Sequence, residues 1–150
     1  MENLRWTELS ADERNELLSR GGIGALSFST PIEEPPVLLP VSYGYDADTT
    51  SFYFRLAFPN DSRKTEAVDG PVAFTTYAET EAGWRSVVAR GRLEEVTDMP
   101  YESSAVQGMW AVRIPMVDLF ERPPEETEFR YFRLRPESLT GRKQVRNSTE

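Results

Sequence analysis

Apolar and polar side chains alternate over several short stretches of this chain, and apolar residues repeat at helical spacing over only a few. The first signal is helical. Ser10 and Glu13 fit a capping box, Asp12 and Glu13 suit a first turn, and Leu17 and Leu18 are the predicted core contacts. Gly21-Gly22 end this helix, because glycine tolerates the left-handed conformation that follows a helix. Ile23 to Ser29 then reads as a strand, and Thr30 to Pro36 as a Pro-rich acidic loop. Val37 to Tyr45 reads as a second strand, in which Pro40, having no N–H, belongs at a bulge or an unpaired edge. After the turn Asp46-Ala47-Asp48-Thr49, the residues Phe52, Phe54 and Leu56 alternate with Tyr53, Arg55 and Ala57 at strand spacing.

The second half continues in the same manner. Ser62 to Val68 is a predicted short helix, stopped by Asp69-Gly70-Pro71. Val72 to Glu79 and Gly83 to Val96 predict a hairpin around Glu81-Ala82-Gly83. A short helix is expected over Tyr101 to Ala111, an acidic Pro-rich loop over Glu121 to Glu126, and a last strand over Phe129 to Leu134. The tail after Val145 is expected to fray. Regularly spaced strands with a few short helices predict a mainly β fold, a barrel with peripheral helices, in one domain over residues 1–150. There is no internal repeat, linker or low-complexity segment.

Composition narrows the chemistry. The 150 residues are 39% hydrophobic and 11% aromatic, enough for a proper core. No apolar run reaches the ~18 residues of a membrane span, and the polar N-terminus has no signal-peptide pattern, so a cytoplasmic protein without a membrane partner is expected. Cys and His are both absent. That excludes disulfides, thiolate chemistry, a Ser-His-Asp triad and a His-ligated zinc centre. The net charge of -8 argues against nucleic acid, which needs a basic stripe. Of the 17 basic residues only Lys64 and Lys143 are lysine. Excess carboxylate with scarce lysine suggests a halophilic, haloarchaeal cytoplasm, where salt screens the self-repulsion. Residues 127–150 carry six basic against three acidic side chains, and this stretch either faces an anion or balances an acidic neighbour.

Within so acidic a chain, the cluster Ser62-Arg63-Lys64 at a predicted helix start stands out, with Arg55 on the strand before it. A helix N-terminus offers free N–H groups and partial positive charge, and Arg and Lys added there suit a phosphate; the alternative is a solvated basic turn. A second basic strand, Trp84 to Arg92, contains Arg85 and Ser86. No Gly-rich phosphate loop is present, and Gly21-Gly22-Ile23-Gly24 is read as a helix end running into a strand. The carboxylate pairs Glu33-Glu34, Glu94-Glu95 and Glu125-Glu126 are expected to be solvated surface. Tyr43, Tyr45, Tyr53, Trp84 and Trp110 either line a flat cofactor or pack in the core. Taken together, an apolar strand with a proline, an aromatic strand ending in a phosphate cradle, and a strand bearing Arg85 and Ser86 are the parts a flavin mononucleotide needs.

The order of these residues resembles the pyridoxamine-phosphate-oxidase-like, FMN-binding split β-barrel proteins. The likeness runs from Val37 to Val96 and resumes at Tyr131 to Lys143. It rests on Val37-Leu38-Leu39-Pro40, Phe52-Tyr53, Ser62-Arg63-Lys64, Arg85-Ser86-Val87 with Gly91, and Phe132-Arg133-Leu134-Arg135-Pro136. Pro40-Val41-Ser42-Tyr43-Gly44-Tyr45 and Leu139-Thr140-Gly141-Arg142-Lys143 are similar to the broader flavin-binding relatives, including the nitroimidazole-resistance group. The resemblance implies a homodimer with FMN at the subunit interface, acting as an oxidoreductase. It implies that Ser62, Arg63 and Lys64 hold the phosphate, that Val41, Ser42 and Tyr43 line the ring edge, and that Phe54, Arg55, Arg85 and Ser86 complete the pocket. Met109, Trp110 and Met116 are compatible with an interface.

The departures bear on the reaction. The oxidase's substrate lysine corresponds to Pro40, its flavin-contacting glutamine to Ser86, and the histidine of the nitroimidazole-resistance group to Arg55. With the oxidases' late Arg-x-His motif also absent, a true pyridoxamine-phosphate oxidase is not expected. Rival readings are a reductase of the same fold using the deazaflavin F420, a flavin carrier or sensor without turnover, and a structural dimer whose cradle holds only an inorganic anion.

Overall fold

The computed structural model describes residues 3–58, 69–97, 99–100, 102–112, 114 and 128–147. Along the chain run β1 (Asn3–Glu8), α1 (Ala11–Leu18), β2 (Gly22–Phe28), β3 (Val37–Asp46), β4 (Ser51–Phe58), β5 (Pro71–Thr80), β6 (Gly83–Glu95), α2 (Ser104–Ala111), β7 (Glu128–Leu134) and β8 (Ser138–Asn147). The predicted helix at Ser62–Val68 and the loop at Glu121–Glu126 lie outside the described residues.

All strand pairings are antiparallel, in the order β1-β8-β6-β5-β2-β3-β4-β7, and β7 returns to pair with β6. Six strands, β2 to β7, therefore close a barrel. The 13-residue β6 makes this possible by dividing one edge. Its first part, Arg85–Arg90, pairs with β8, and its last, Leu93–Glu95, pairs with β7. The ribbon of β8 and β1 thus leaves the barrel wall where β7 closes it.

β1 and β8 were not among the predicted strands. Their sequences are polar and weakly alternating; β1 becomes a strand through β8, more than a hundred residues away, from Asn3↔Asn147 to Glu8↔Arg142, and β8 is held between β1 and β6. Pairing also carries β8 to Asn147, past the point where fraying was expected. The predicted N-terminus of α2 moves in from Tyr101 to the cap Ser103, whose hydroxyl accepts from the Val106 N–H at 3.2 Å. α1 begins as read. Ser10 Oγ accepts from the Glu13 N–H and Glu13 Oε1 accepts from the Ser10 N–H, both at 3.1 Å. Gly21, at φ 65°, ends this helix region.

One face of each barrel strand builds the core. Leu26, Phe28, Val41, Tyr43, Tyr45, Phe52, Phe54, Leu56, Val72, Phe74, Val87, Ala89, Phe132 and Leu134 are buried in one cluster. At its centre Phe74 meets Tyr43, Phe52 and Phe54 at ring-centroid distances of 5.1, 5.2 and 5.0 Å, in tilted and edge-on geometries that aromatic quadrupoles favour. α1 closes one end by placing Leu18 in this cluster, and the Tyr45 hydroxyl donates to Asn15 Oδ1 at 3.3 Å. α2 lies against the outside, where Val96, Ala105 and Val106 make a second cluster with Met99, Met109 and Tyr131.

Candidate functional site

The wall of the barrel parts between β3 and β4. These strands pair only from Ser42↔Arg55 to Asp46↔Ser51. Beyond Ser42, β3 keeps β2 on its other side as far as Val37, while β4 runs on with β7 to Phe58↔Glu128. Among the described residues, the β4-facing edge of Val37–Val41 and the β3-facing edge of Leu56–Phe58 thus have no ladder partner. Pro40 falls in this stretch, where a missing N–H costs least. Ser42 and Arg55 sit at the apex of the gap, directly opposite each other.

Strand alternation sorts the predicted site residues into three places. Val41, Tyr43 and Phe54 are buried on the inner face, so their side chains belong to the core. Ser42 and Arg55 have the opposite parity and face outward, as does Ser86 on β6. Arg85 points the other way, toward the end of the barrel closed by α1, where it meets Glu13 at 3.5 Å. Ser62, Arg63 and Lys64 lie outside the described residues. The outward residues fall into cross-strand rows. Ile23, Ser42, Arg55 and Tyr131 occupy successive paired positions from β2 to β7, and Tyr77, Ser86 and Arg142 do so from β5 to β8. The Arg55 guanidinium lies 4.4 Å from the centroid of the Phe129 ring, a cation–π contact that orients it beside the gap.

Other predicted features settle differently. Tyr45 and Tyr53 are buried, whereas Trp84 and Trp110 are exposed. Tyr53 lies under α2 rather than in the main cluster; its hydroxyl bonds to Arg133, and burial raises its pKa, so it stays protonated. A Cβ at Gly108 would overlap that hydroxyl, so only glycine lets α2 approach so closely. Glu94 and Glu95 are not the free surface carboxylates expected of them. Glu94 pairs with Arg133 and Glu95 with Arg130, and the Arg130 hydrogen bond lowers the Glu95 pKa. The register Glu94↔Arg133 brings these charges together across 39 residues of sequence. Arg135 and Lys143 also meet carboxylates, Glu94 at 3.6 Å and Glu13 at 2.7 Å, so much of the basic C-terminal stretch balances acidic neighbours.

Sequence reasoning missed the exposed apolar side chains Trp6, Ile23, Leu38 and Tyr77, which share the outward parity of Ser42 and Ser86. The signal was present, since in each strand they occupy the phase opposite to the core residues. Among the described residues, no group of three or more Asp or Glu side chains is placed to hold a metal, and no helix is long and apolar enough to cross a membrane.

A barrel of six antiparallel strands with a divided β6 edge and a gap between β3 and β4 is a split β-barrel, the fold of a group of flavin-binding proteins. Similar solved structures include the FAD binding protein from Mycobacterium smegmatis, at TM-score 0.66 and 20% identity over 94% of this chain and 99% of that one. Another is a FAD-binding protein from Mesorhizobium loti, at TM-score 0.64 and 22% identity over 95% and 99% of the two chains. The FAD and heme binding protein from Mycobacterium smegmatis follows at TM-score 0.60 and 12% identity, over 96% of this chain and 76% of that one. None of the curated proteins matches this chain. The family model for pyridoxamine 5′-phosphate oxidase matches residues 10–143, and the chain belongs to that family.

Proposed function

We propose that this protein binds a flavin nucleotide, FMN, non-covalently at the parting of β3 and β4, as a homodimer, and works as a cytoplasmic flavin-dependent oxidoreductase. The observation that carries this reading is the gap itself. Among the described residues it leaves the main-chain edge of Val37–Val41 without a ladder partner, it places Ser42 and Arg55 at its apex, and it lies where β4 ends at Phe58, four residues before Ser62-Arg63-Lys64 in the sequence. Main-chain groups there suit the polar edge of a heteroaromatic ring. In this reading Val41 contributes through its main chain, because its side chain is committed to the core, and Tyr43 is left out, being paired with β2 and β4 on its two sides and buried. Phe54 supports the site from within, Ser42 and Arg55 face it, Ser86 lies on the same outward side but three strands from β3, and Arg63 and Lys64 take the phosphate. Arg85 is left out, because its side chain turns inward to Glu13.

Bound flavin supplies two-electron transfer, and the protein's part is position and electrostatics. The named relatives bind FAD; in this reading the adjacent cations Arg63 and Lys64 take a single terminal phosphate, which favours FMN. Pro40, Arg55 and Ser86 replace the substrate and flavin-contacting groups of the characterised branches, which keeps vitamin B6 oxidation out of the proposal and favours a flavin carrier as the second reading. The outward Trp6, Ile23, Leu38, Tyr77 and Trp84 support the homodimer, since isolated apolar residues are ordinary but a shared exposed face is not.

The test is the visible spectrum of the purified protein, followed by titration with FMN, FAD and F420 in molar KCl. Saturable quenching of FMN fluorescence at one site per chain is expected. The double variant Arg63→Ala, Lys64→Ala should weaken FMN by about 100-fold, ~2.7 kcal/mol. No binding of any of the three at micromolar concentration would remove the redox reading. Slow reoxidation of the bound reduced flavin, with no acceptor found in a screen, would select the carrier.

A further inference from the structure

At the end of the barrel closed by α1, a cleft of about 730 Å³ opens between Gly21-Gly22 and the β5–β6 turn. It is large enough for a drug-sized molecule. Tyr43, Thr76 and Arg85 line its inner part, and Tyr77 stands at its edge with its ring on the outward side, 6.2 Å from that of Trp84. The Thr76 hydroxyl donates to the Ile23 carbonyl at 3.0 Å. The buried Tyr43 hydroxyl, whose pKa burial raises, is held by Thr76: the Thr76 proton goes to Ile23, so the Tyr43 proton goes to Thr76.

Arg85 is the unusual member. Its side chain is only 13% exposed, and its single ion pair among the described residues is the 3.5 Å approach of one terminal nitrogen to Glu13 Oε2. That same oxygen accepts from Lys143 Nζ at 2.7 Å, and Glu13 Oε1 accepts from the Ser10 N–H. Glu13 is therefore neutralised by Lys143, and the Arg85 charge is left over. Arg85 Nε is buried with no hydrogen-bond partner. A buried donor without an acceptor is costly, and it calls for a group that completes it. The outer part of the cleft has the opposite sign, with Glu16, Glu79 and Glu81 against Arg20.

We propose that this cleft binds a small monocarboxylate, its carboxylate on the Arg85 guanidinium. A planar carboxylate matches the guanidinium fork, and a charge-assisted hydrogen bond fills the open Nε–H. The acidic rim repels dianions such as phosphate esters, and the inner Arg85 repels amines, so the cleft selects a monoanion. The site goes beyond the flavin reading, which uses the outward residues of the β3–β4 gap.

The experiment is a benzoate titration of the full-length protein at constant ionic strength, followed by the ¹H–¹⁵N signals of arginine Nε–H groups. One signal, assigned through its loss in Arg85→Gln, should shift saturably, and a thermal melt checks that this variant is folded. Benzoate binding should weaken about tenfold or more in Arg85→Gln. Arg85→Lys, which keeps the charge and loses the Nε–H and the planar fork, should weaken it by a smaller factor and serves as the test if Arg85→Gln does not fold. Phenyl phosphate and benzylamine should bind more weakly than benzoate. The proposal is overturned if no Nε–H signal shifts saturably, if benzoate affinity is unchanged in both variants, or if benzylamine or phenyl phosphate binds as well as benzoate. Competition between benzoate and FMN would overturn it too, because the cleft would then be part of the flavin site. Failure of FMN binding alone leaves it standing.

Discussion

The two faces of the barrel wall are made by the same strands and behave as different materials. On the inner face of β4, Phe52, Phe54 and Leu56 are almost fully buried in one aromatic cluster. On its outer face, Tyr53 and Arg55 each answer to a different neighbour, Tyr53 to α2 and Arg133, Arg55 to Phe129 and the gap. The inner face is uniform because burial asks only for apolar volume that fits. The outer face is divided into a part covered by α2 and a part exposing Ile23, Leu38, Tyr77 and Trp84. Stability should therefore reside on the inner face, and flavin recognition on the outer one.

The sharpest way to break that contrast is Phe54→Ala. Deleting a ring that touches Phe74 at 5.0 Å should cost about 3–5 kcal/mol, read by denaturant unfolding. A loss below about 1 kcal/mol would show that the inner cluster is less cohesive than its geometry implies. Gly108→Ala tests the covered part of the outer face. The added methyl must displace the Tyr53 hydroxyl or lift α2, at a cost of about 1–3 kcal/mol, while the barrel's strand signature in circular dichroism stays.

Glu13 offers a pH test of the α1 end. The Lys143 hydrogen bond, then the Ser10 N–H, lower its pKa from 4.5 to about 2. A depressed folded-state pKa gives stability that is complete above the unfolded value and is lost as pH falls toward the folded one. Melting temperature should thus fall between pH 4.5 and about 2, and Glu13→Gln should flatten that part of the profile. An unchanged profile would mean that Lys143 does not hold the carboxylate in solution. The smallest effect belongs to the open outer face. Tyr77→Ser should leave monomer stability within about 0.5 kcal/mol, and in sedimentation it should weaken self-association if this face is the dimer contact. A large stability loss would mean that the face is structural after all.

Local features were legible in the chain because their partners are close. The Ser10–Glu13 capping box, the end at Gly21, the alternation of Phe52 to Leu56 and the β5–β6 hairpin all involve neighbours within a few residues. Features completed from far away were not. β1 waits for β8, and Glu94 and Glu95 wait for Arg133 and Arg130. The candidate site was legible only as a set of residues. Its grouping was not, because adjacent residues on a strand face opposite sides, so Arg85 and Ser86, or Ser42 and Tyr43, part company once one face is assigned to the core.

The sequence by itself determined a mainly β chain with short helices, excluded chemistry that needs Cys or His, and carried the residue order of a flavin-binding split barrel. Those properties depend on composition and on short-range periodicity. Only the tertiary structure decided that β6 divides its edge between β8 and β7, that β3 and β4 separate after Ser42 and Arg55, and that Arg85 turns inward to a cleft beside Tyr43. Each of these is a matter of register between distant strands, and a one-residue change of register would exchange the two faces.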